Sequence, residues 1–242
     1  ITNTKYNGIN IAADNEKYPA SNIEITGNTL SEISSAAYDD AAYSSGIRVG
    51  RNNSGITVEN NTITMLNGKK DVLIEGRAEV TNEAELLAAL EAGDVTINLN
   101  GDIDLSKAVA VDYAVTINGN SHQLSVTETE HEDYVMVLSN GAKVDNVKFA
   151  APGNSRDDAA IQIAGKDVTV SNCTFDGQDK EQAIAIMTQY SEETSGITIT
   201  GNTIKDMKYG MYFNSLKDAK ITGNTITNTK YNGINIAADN EK

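Results

Sequence analysis

Residues able to do chemistry are few in this sequence, and most of them stand outside any reactive constellation. Carboxylates come as adjacent pairs, Asp39-Asp40 and Asp157-Asp158, and as a looser cluster of Glu128, Glu130, Glu132 and Asp133. Neighbouring side chains on an extended strand point to opposite sides, so neither pair is laid out as an acid–base dyad. Loops stacked on one another can still gather such oxygens around a hard cation. Asp39, Asp40, Asp157 and Asp158 are therefore the candidate calcium ligands, and ion pairs with the nearby Arg48 and Arg156 are the competing use of their charge. Tyrosine forms the second group. Tyr43, Tyr134, Tyr209 and Tyr231 (repeated as Tyr6) each fall within three residues before the same short alternating strand. Rings aligned along a groove suit stacking against sugars, while rings that only cover loop stems are the plainer reading. Tyr209, Tyr212, Tyr231, Asn235 and Arg48 are the candidate glycan contacts. A single cysteine, Cys173, forms no internal disulfide and no thiolate metal site, and two histidines leave little for acid–base or zinc chemistry.

The composition narrows the partners. A formal charge of −15 argues against nucleic acid. No run approaches the ~18 apolar residues of a membrane span, so no membrane insertion is expected, and no signal peptide opens the chain. Location outside the cell or on its surface is an expectation from composition and repeat type. Tryptophan is absent and phenylalanine occurs three times, so stacked Ile and Val must form the core.

What positions these residues is a repeat. A pair of alternating apolar residues, a polar corner with Asn, and another apolar residue recur as Ile23-Glu24-Ile25-Thr26-Gly27-Asn28-Thr29-Leu30 and Ile56-Thr57-Val58-Glu59-Asn60-Asn61-Thr62-Ile63. The same reading fits Val168 to Phe175, Ile197 to Ile204 and Ile221 to Ile226, with Val144 to Phe149 a degenerate copy. Successive Asn146, Asn172, Asn202 and Asn224 are 26, 30 and 22 residues apart, as expected for coils of a solenoid with variable loops. Between copies lies another short alternating segment led by Gly or Ala, such as Gly46-Ile47-Arg48-Val49 and Gly210-Met211-Tyr212-Phe213. Asn tolerates the left-handed corner between strands. Asn28, Asn61, Asn146, Asn172, Asn202 and Asn224 are accordingly expected to stack as one structural ladder.

This pattern resembles the right-handed parallel β-helix repeats of the pectin lyase-like superfamily, especially the NosD-type and surface-adhesin versions. The resemblance covers the chain from about Val95 onward and again residues 1–67. It implies an all-β, right-handed parallel β-helix with three short strands per coil, but it is poor for function because lyases, glycosidases, adhesins and phage fibres share the pattern.

A larger repeat lies above the coils. Residues 1–17 recur unchanged as residues 226–242, an offset of 225. Near the middle, Thr81 to Gly93 reads as an amphipathic helix with Asn82 as cap, Glu85 three residues on and Gly93 at its end. A helix there serves as an internal cap over an otherwise open parallel edge. The expected organisation is closing coils of one unit at 1–67, a junction at 68–81, a capping helix at 82–93, and opening and middle coils of the next unit at 94–242. A natural tandem array explains this arrangement. Ile74-Glu75-Gly76-Arg77 also matches the factor Xa cleavage sequence, which keeps an engineered or circularly permuted scaffold as the other origin.

For β-helix enzymes the resemblance implies a cleft outside one sheet. Alternation assigns Met136, Gln162, Ala185, Tyr212, Asn235 (with Asn10) and Arg48 to the outward rank of the Gly-Ile-x-Ile strand. A lyase of this kind is expected to place calcium-binding carboxylates and a basic residue there, and this rank holds one Arg and no carboxylate. The Asn-Thr-Asp and Gly-His-Gly signatures of a galacturonase-like hydrolase, which needs paired Asp, do not occur. The expected function is a non-catalytic structural or adhesive repeat, able to join other copies end to end. A polysaccharide-binding module or a pectate-lyase-like enzyme using Arg48 is the alternative. No cofactor beyond calcium is implied.

Overall fold

The computed structural model describes residues 1–12, 18–36, 38–127, 133–155, 158–178, 180, 182–188, 194–214 and 216–237. Two compact units result, Ile1–Arg77 and Ala78–Lys242.

In the second unit three short strands per coil feed three parallel sheets. Sheet one stacks Arg77–Val80, Thr96–Leu99, Thr116–Asn118, Lys143–Asp145, Thr169–Ser171, Thr198–Thr200 and Lys220–Thr222. Sheet two stacks Ile103–Leu105, Gln123–Val126, Lys148–Ala150, Thr174–Asp176, Thr203–Lys205 and Thr225–Thr227. Sheet three stacks Val109–Val111, Tyr134–Leu138, Ala159–Ile163, Ile184–Thr188, Tyr209–Asn214 and Ile234–Ala237. Parallel pairing in register sets like on like. Ile97, Ile117, Val144, Val170, Ile199 and Ile221 form one inward column. Leu124, Phe149, Phe175, Ile204 and Ile226 form another, in which the Phe149 and Phe175 rings stack at 5.0 Å.

The helix, α1, spans Glu83–Glu91. Its cap is the one the sequence predicts: Asn82 Oδ1 accepts from the Glu85 N–H at 3.1 Å, and Gly93 ends it at φ +68. Glu85 reaches back one residue further than a capping box requires, accepting from both N–H and hydroxyl of Thr81. Leu86 and Ala89 are buried in the core. The helix packs beside Ile103–Leu105, the edge strand of sheet two.

The first unit uses the same coil plan with fewer turns. Ile9–Ile11, Ser45–Val49 and Lys70–Ile74 form one sheet. Ser21–Thr26 pairs with Ser54–Glu59, and Thr29–Ile33 with Thr62–Met65. Its core of Ile25, Leu30, Ile33 and Ile47 is small and ringed by half-buried Ile, Val and Met. The junction expected at 68–81 is structured: Lys70–Ile74 closes the first unit against Ser45–Val49, and Arg77–Val80 opens the second.

Glycine leads the third strand of a coil because successive coils touch there. A Cβ on Gly210 would lie 2.4 Å from the Gly233 carbonyl oxygen, and one on Gly46 would lie 2.5 Å from the Asp71 oxygen.

Candidate functional site

The first unit carries an aromatic cleft. It is an open cleft of about 560 Å³ lined by Tyr6, Asn7, Asn10, Tyr38, Ala42, Tyr43 and Arg48. The loop 39–44 is built locally: Asp40 Oδ1 accepts from the Ala42 N–H at 2.8 Å, and the Ser44 hydroxyl donates to the Asp40 carbonyl at 2.9 Å. Asn7 ties that loop to its own coil, donating to the Ala42 carbonyl and accepting from the Ser45 N–H, both at 2.8 Å. The loop thus holds Tyr43 beside Tyr38, with centroids 6.3 Å apart, while Tyr38 stacks on Tyr6 at 5.3 Å. The Tyr38 hydroxyl donates to that of Tyr6 at 3.3 Å, which lowers the Tyr6 phenol pKa and raises that of Tyr38.

Arg48 crosses the cleft floor. Its Nε binds Glu75 Oε1 at 2.7 Å and its Nη1 reaches Asn10 Oδ1 at 3.3 Å. A guanidinium held this way, on Glu75 and Asn10, is a fixed hydrogen-bonding group.

The second unit repeats part of this surface. Tyr209 stacks on Tyr231 at 5.3 Å and meets Tyr212 edge-on at 5.2 Å. Tyr134, Tyr209 and Tyr212 also pack on an outer apolar patch of Ala159, Ile184 and Met187, so these rings cover surface as well as expose it. Asn235 pairs with Tyr212 across the strands and accepts from Asn232 Nδ2 at 3.2 Å. Cations lie over three of the rings, Lys5 on Tyr6, Lys208 on Tyr209 and Lys230 on Tyr231. A Lys-Tyr dipeptide marks each of these places in the sequence, and Lys180, Lys208 and Lys230 line a second cleft of about 280 Å³ with Asp206.

The outward rank of sheet three is shifted from its expected membership. Val137, Gln162, Met187, Tyr212 and Asn235 are the paired outward positions. Met136 and Ala185, expected to face out, are fully buried. Both lie in uninterrupted apolar runs where alternation leaves the phase undefined.

Of the four candidate calcium ligands, Asp39, Asp40 and Asp158 are among the described residues. Asp158 is fully buried, and its two oxygens accept from the Asp133 N–H at 2.9 Å and the Ser155 N–H at 2.7 Å. Burial raises its pKa in spite of those bonds. Asp39 lies 3.4 Å from Lys69, and Asp40 caps its own loop. Asp157, Arg156, Glu128, Glu130 and Glu132 lie outside the described residues. Among the described residues no group of three His, Cys, Asp or Glu side chains is placed to hold a metal ion.

The asparagine ladder resolves into two columns, which corrects the single column expected. Asn146 and Asn172 occupy the left-handed corner, at φ +52 and +53, aligned with Gly201 and Gly223. Asn28, Asn61, Asn202 and Asn224 sit one residue later, and their amides run along the stack. Asn202 Oδ1 accepts from the Cys173 N–H at 2.8 Å, while its Nδ2 donates to the Val170 carbonyl at 3.0 Å and to Asn224 Oδ1 at 2.9 Å. Asn28 and Asn61 repeat this in the first unit. Cys173 fills the buried column where an Asn is missing, and burial pushes its thiol up to about 12.

No curated protein and no solved structure matches the chain. The family model described as "Right handed beta helix region" matches residues 91–242, from the last residue of α1 through every later strand of the second unit. With that match over more than half its length, and with parallel coils throughout its described residues, the chain belongs to the right-handed beta helix family.

Proposed function

We propose that the chain is a non-catalytic structural repeat of an extracellular adhesive protein, a stretch of stiff solenoid that carries exposed groups at fixed intervals. The observation that supports this reading best is the registered stacking of like on like, coil after coil, in sheet columns and in the buried amide ladder. Such order resists bending and local unfolding, because each coil is hydrogen-bonded to both neighbours. The half-exposed outward positions of sheet three, Val137, Gln162, Tyr212 and Asn235, offer surface rather than acid–base chemistry. Incubation with acidic and neutral polysaccharides, with and without calcium, tests it directly. Neither unsaturated uronate ends nor new reducing ends are expected, and turnover lost in Arg48→Ala would overturn the reading.

The aromatic cleft supports a second reading, a polysaccharide-binding module. Stacked Tyr6 and Tyr38, with Asn10 and the held Arg48 guanidinium beneath, match the apolar faces and hydroxyl edges of a sugar chain. Depletion of soluble glycans by the intact chain, weakened at least tenfold in Tyr38→Ala, is the outcome this reading expects. Equal depletion by both proteins would remove the cleft as the binding place.

A further inference from the structure

Ile74-Glu75-Gly76-Arg77 matches the factor Xa cleavage sequence in the interior of the chain. A serine protease with an acidic specificity pocket reads the arginine immediately before the bond it cuts, here the bond from Arg77 to Ala78. All four residues belong to the first compact unit, and Ala78 is the first residue of the second. A cut there takes one end residue from the strand Arg77–Val80 and interrupts no other strand.

In the folded chain this sequence has the wrong shape for such an enzyme. Ile74 ends the strand Lys70–Ile74 and is paired with Val49. The Glu75 N–H donates to the Val49 carbonyl at 2.9 Å. The Glu75 carboxylate holds Arg48 Nε at 2.7 Å, with the two side chains only 26% and 12% exposed. Gly76 is buried and turns the chain at φ +74. A bound peptide runs extended, as an added strand does, and a positive φ lies outside that region. Arg77 is exposed, so the specificity residue is presented while the residues before it are locked.

The lock is shallow. Lys70–Ile74 is the outermost strand of its three-stranded sheet, and among the described residues its strand partner is Ser45–Val49. Lys70, Asp71 and Val72 are exposed, and Leu73 and Ile74 are half-buried. Peeling the strand away breaks one row of pairing and the Arg48–Glu75 ion pair, and leaves Ile9–Ile11 paired with Ser45–Val49. Gly76 then relaxes to an extended backbone without steric cost. Local opening of this kind sets the rate at which a protease finds a hidden bond.

We propose that Ile74–Arg77 is a latent processing site, read by an arginine-specific serine endoprotease only when the strand Lys70–Ile74 detaches. Water is consumed in the cut. The bond between the Arg77 carbonyl carbon and the Ala78 nitrogen breaks, the water oxygen enters a new Arg77 carboxylate, and both protons go to the Ala78 amine. The products are residues 1–77 and 78–242.

Factor Xa is the probe, acting on the full chain, with fragments read by mass. The folded chain is expected to be cut after Arg77 roughly a hundredfold more slowly than a peptide of residues 70–81, and Arg77→Gln to abolish that cut. Arg48→Cys with Leu73→Cys, at positions paired across the two strands and within disulfide reach, makes the lock reversible. Buried Cys173 does not compete. Reduced, this variant lacks the Arg48–Glu75 ion pair and is expected to be cut about tenfold faster than the unaltered chain. Oxidised, with the strand tied down, it is expected to be cut about tenfold more slowly than when reduced. Urea separates local from global opening: the cutting rate of the unaltered chain is expected to rise less steeply with urea than the unfolded fraction does. A rate that tracks global unfolding would overturn the proposal. Equal rates for the oxidised and reduced variant would do the same, as would a folded chain cut as fast as the peptide.

Discussion

At the residue scale, the buried amides carry more of the fold than the groups first singled out for chemistry. Asn202 is 1% exposed and satisfies the Cys173 N–H, the Val170 carbonyl and Asn224 together. Asn202→Ala leaves a buried N–H and a buried carbonyl unpaired and is expected to cost about 2–4 kcal/mol, counting roughly 1–3 for each orphaned group with partial relaxation. Asn224→Ala, half-exposed at the stack's end, is expected to cost less than half as much. Urea unfolding midpoints of the two variants check the order. The Cys173 thiol, held near 12 by burial, should resist a thiol reagent at pH 8 in the folded protein and react fully in denaturant. The two-column ladder was in fact legible in the sequence. The step from Asn202 to the next inward apolar residue, Ile204, is two, whereas from Asn172 to Phe175 it is three. Aligning on the apolar residue rather than on Asn separates corner from ladder. The buried state of Asp158 was not legible, because its partners are backbone N–H groups supplied by a loop fold.

At the element scale, α1 was readable to within a residue or two because cap, apolar spacing and terminal glycine all agreed. Its role is to close the first coil through Leu86. Leu86→Ala is expected to cost about 2–5 kcal/mol as a cavity forms, against about 1 kcal/mol for Asn82→Ala, again read from unfolding midpoints. The helix start is also tuned electrostatically. The Ser106 hydroxyl and N–H both donate to Glu83 Oε1 at 2.7 Å and hold its pKa below the usual Glu value. A depressed carboxylate adds stability that is present above the ordinary pKa of about 4.3 and is lost as pH falls through its folded value. Carbon-13 titration of Ser106→Ala should show the Glu83 midpoint moving upward. Sheet three was less legible than the helix. Tyr134-Val135-Met136-Val137-Leu138 is apolar throughout, so only the pairing of Met136 with Ile161 fixes which side faces in.

At the scale of the whole molecule, the two units are unequal. The second has a long continuous core from Val80 to Phe213, while the first buries only Ile25, Leu30, Ile33 and Ile47 in its cluster. Local opening follows burial, so amide hydrogen exchange should be slower through Ile97 to Phe213 than anywhere in 1–77. Uniform protection across both units would contradict that difference. The 225-residue recurrence was plain from the sequence, but the strand partners of each copy could only come from register. The same register has a metric consequence. Strands in adjacent coils lie about 4.8 Å apart, and a coil inside the second unit touches only its two neighbours. Inserting or deleting one whole coil would carry every group beyond it along the axis by that single step, leaving its surroundings alone. Such a solenoid is a graduated yardstick, with the spacing between any two exposed groups along it counted in coils.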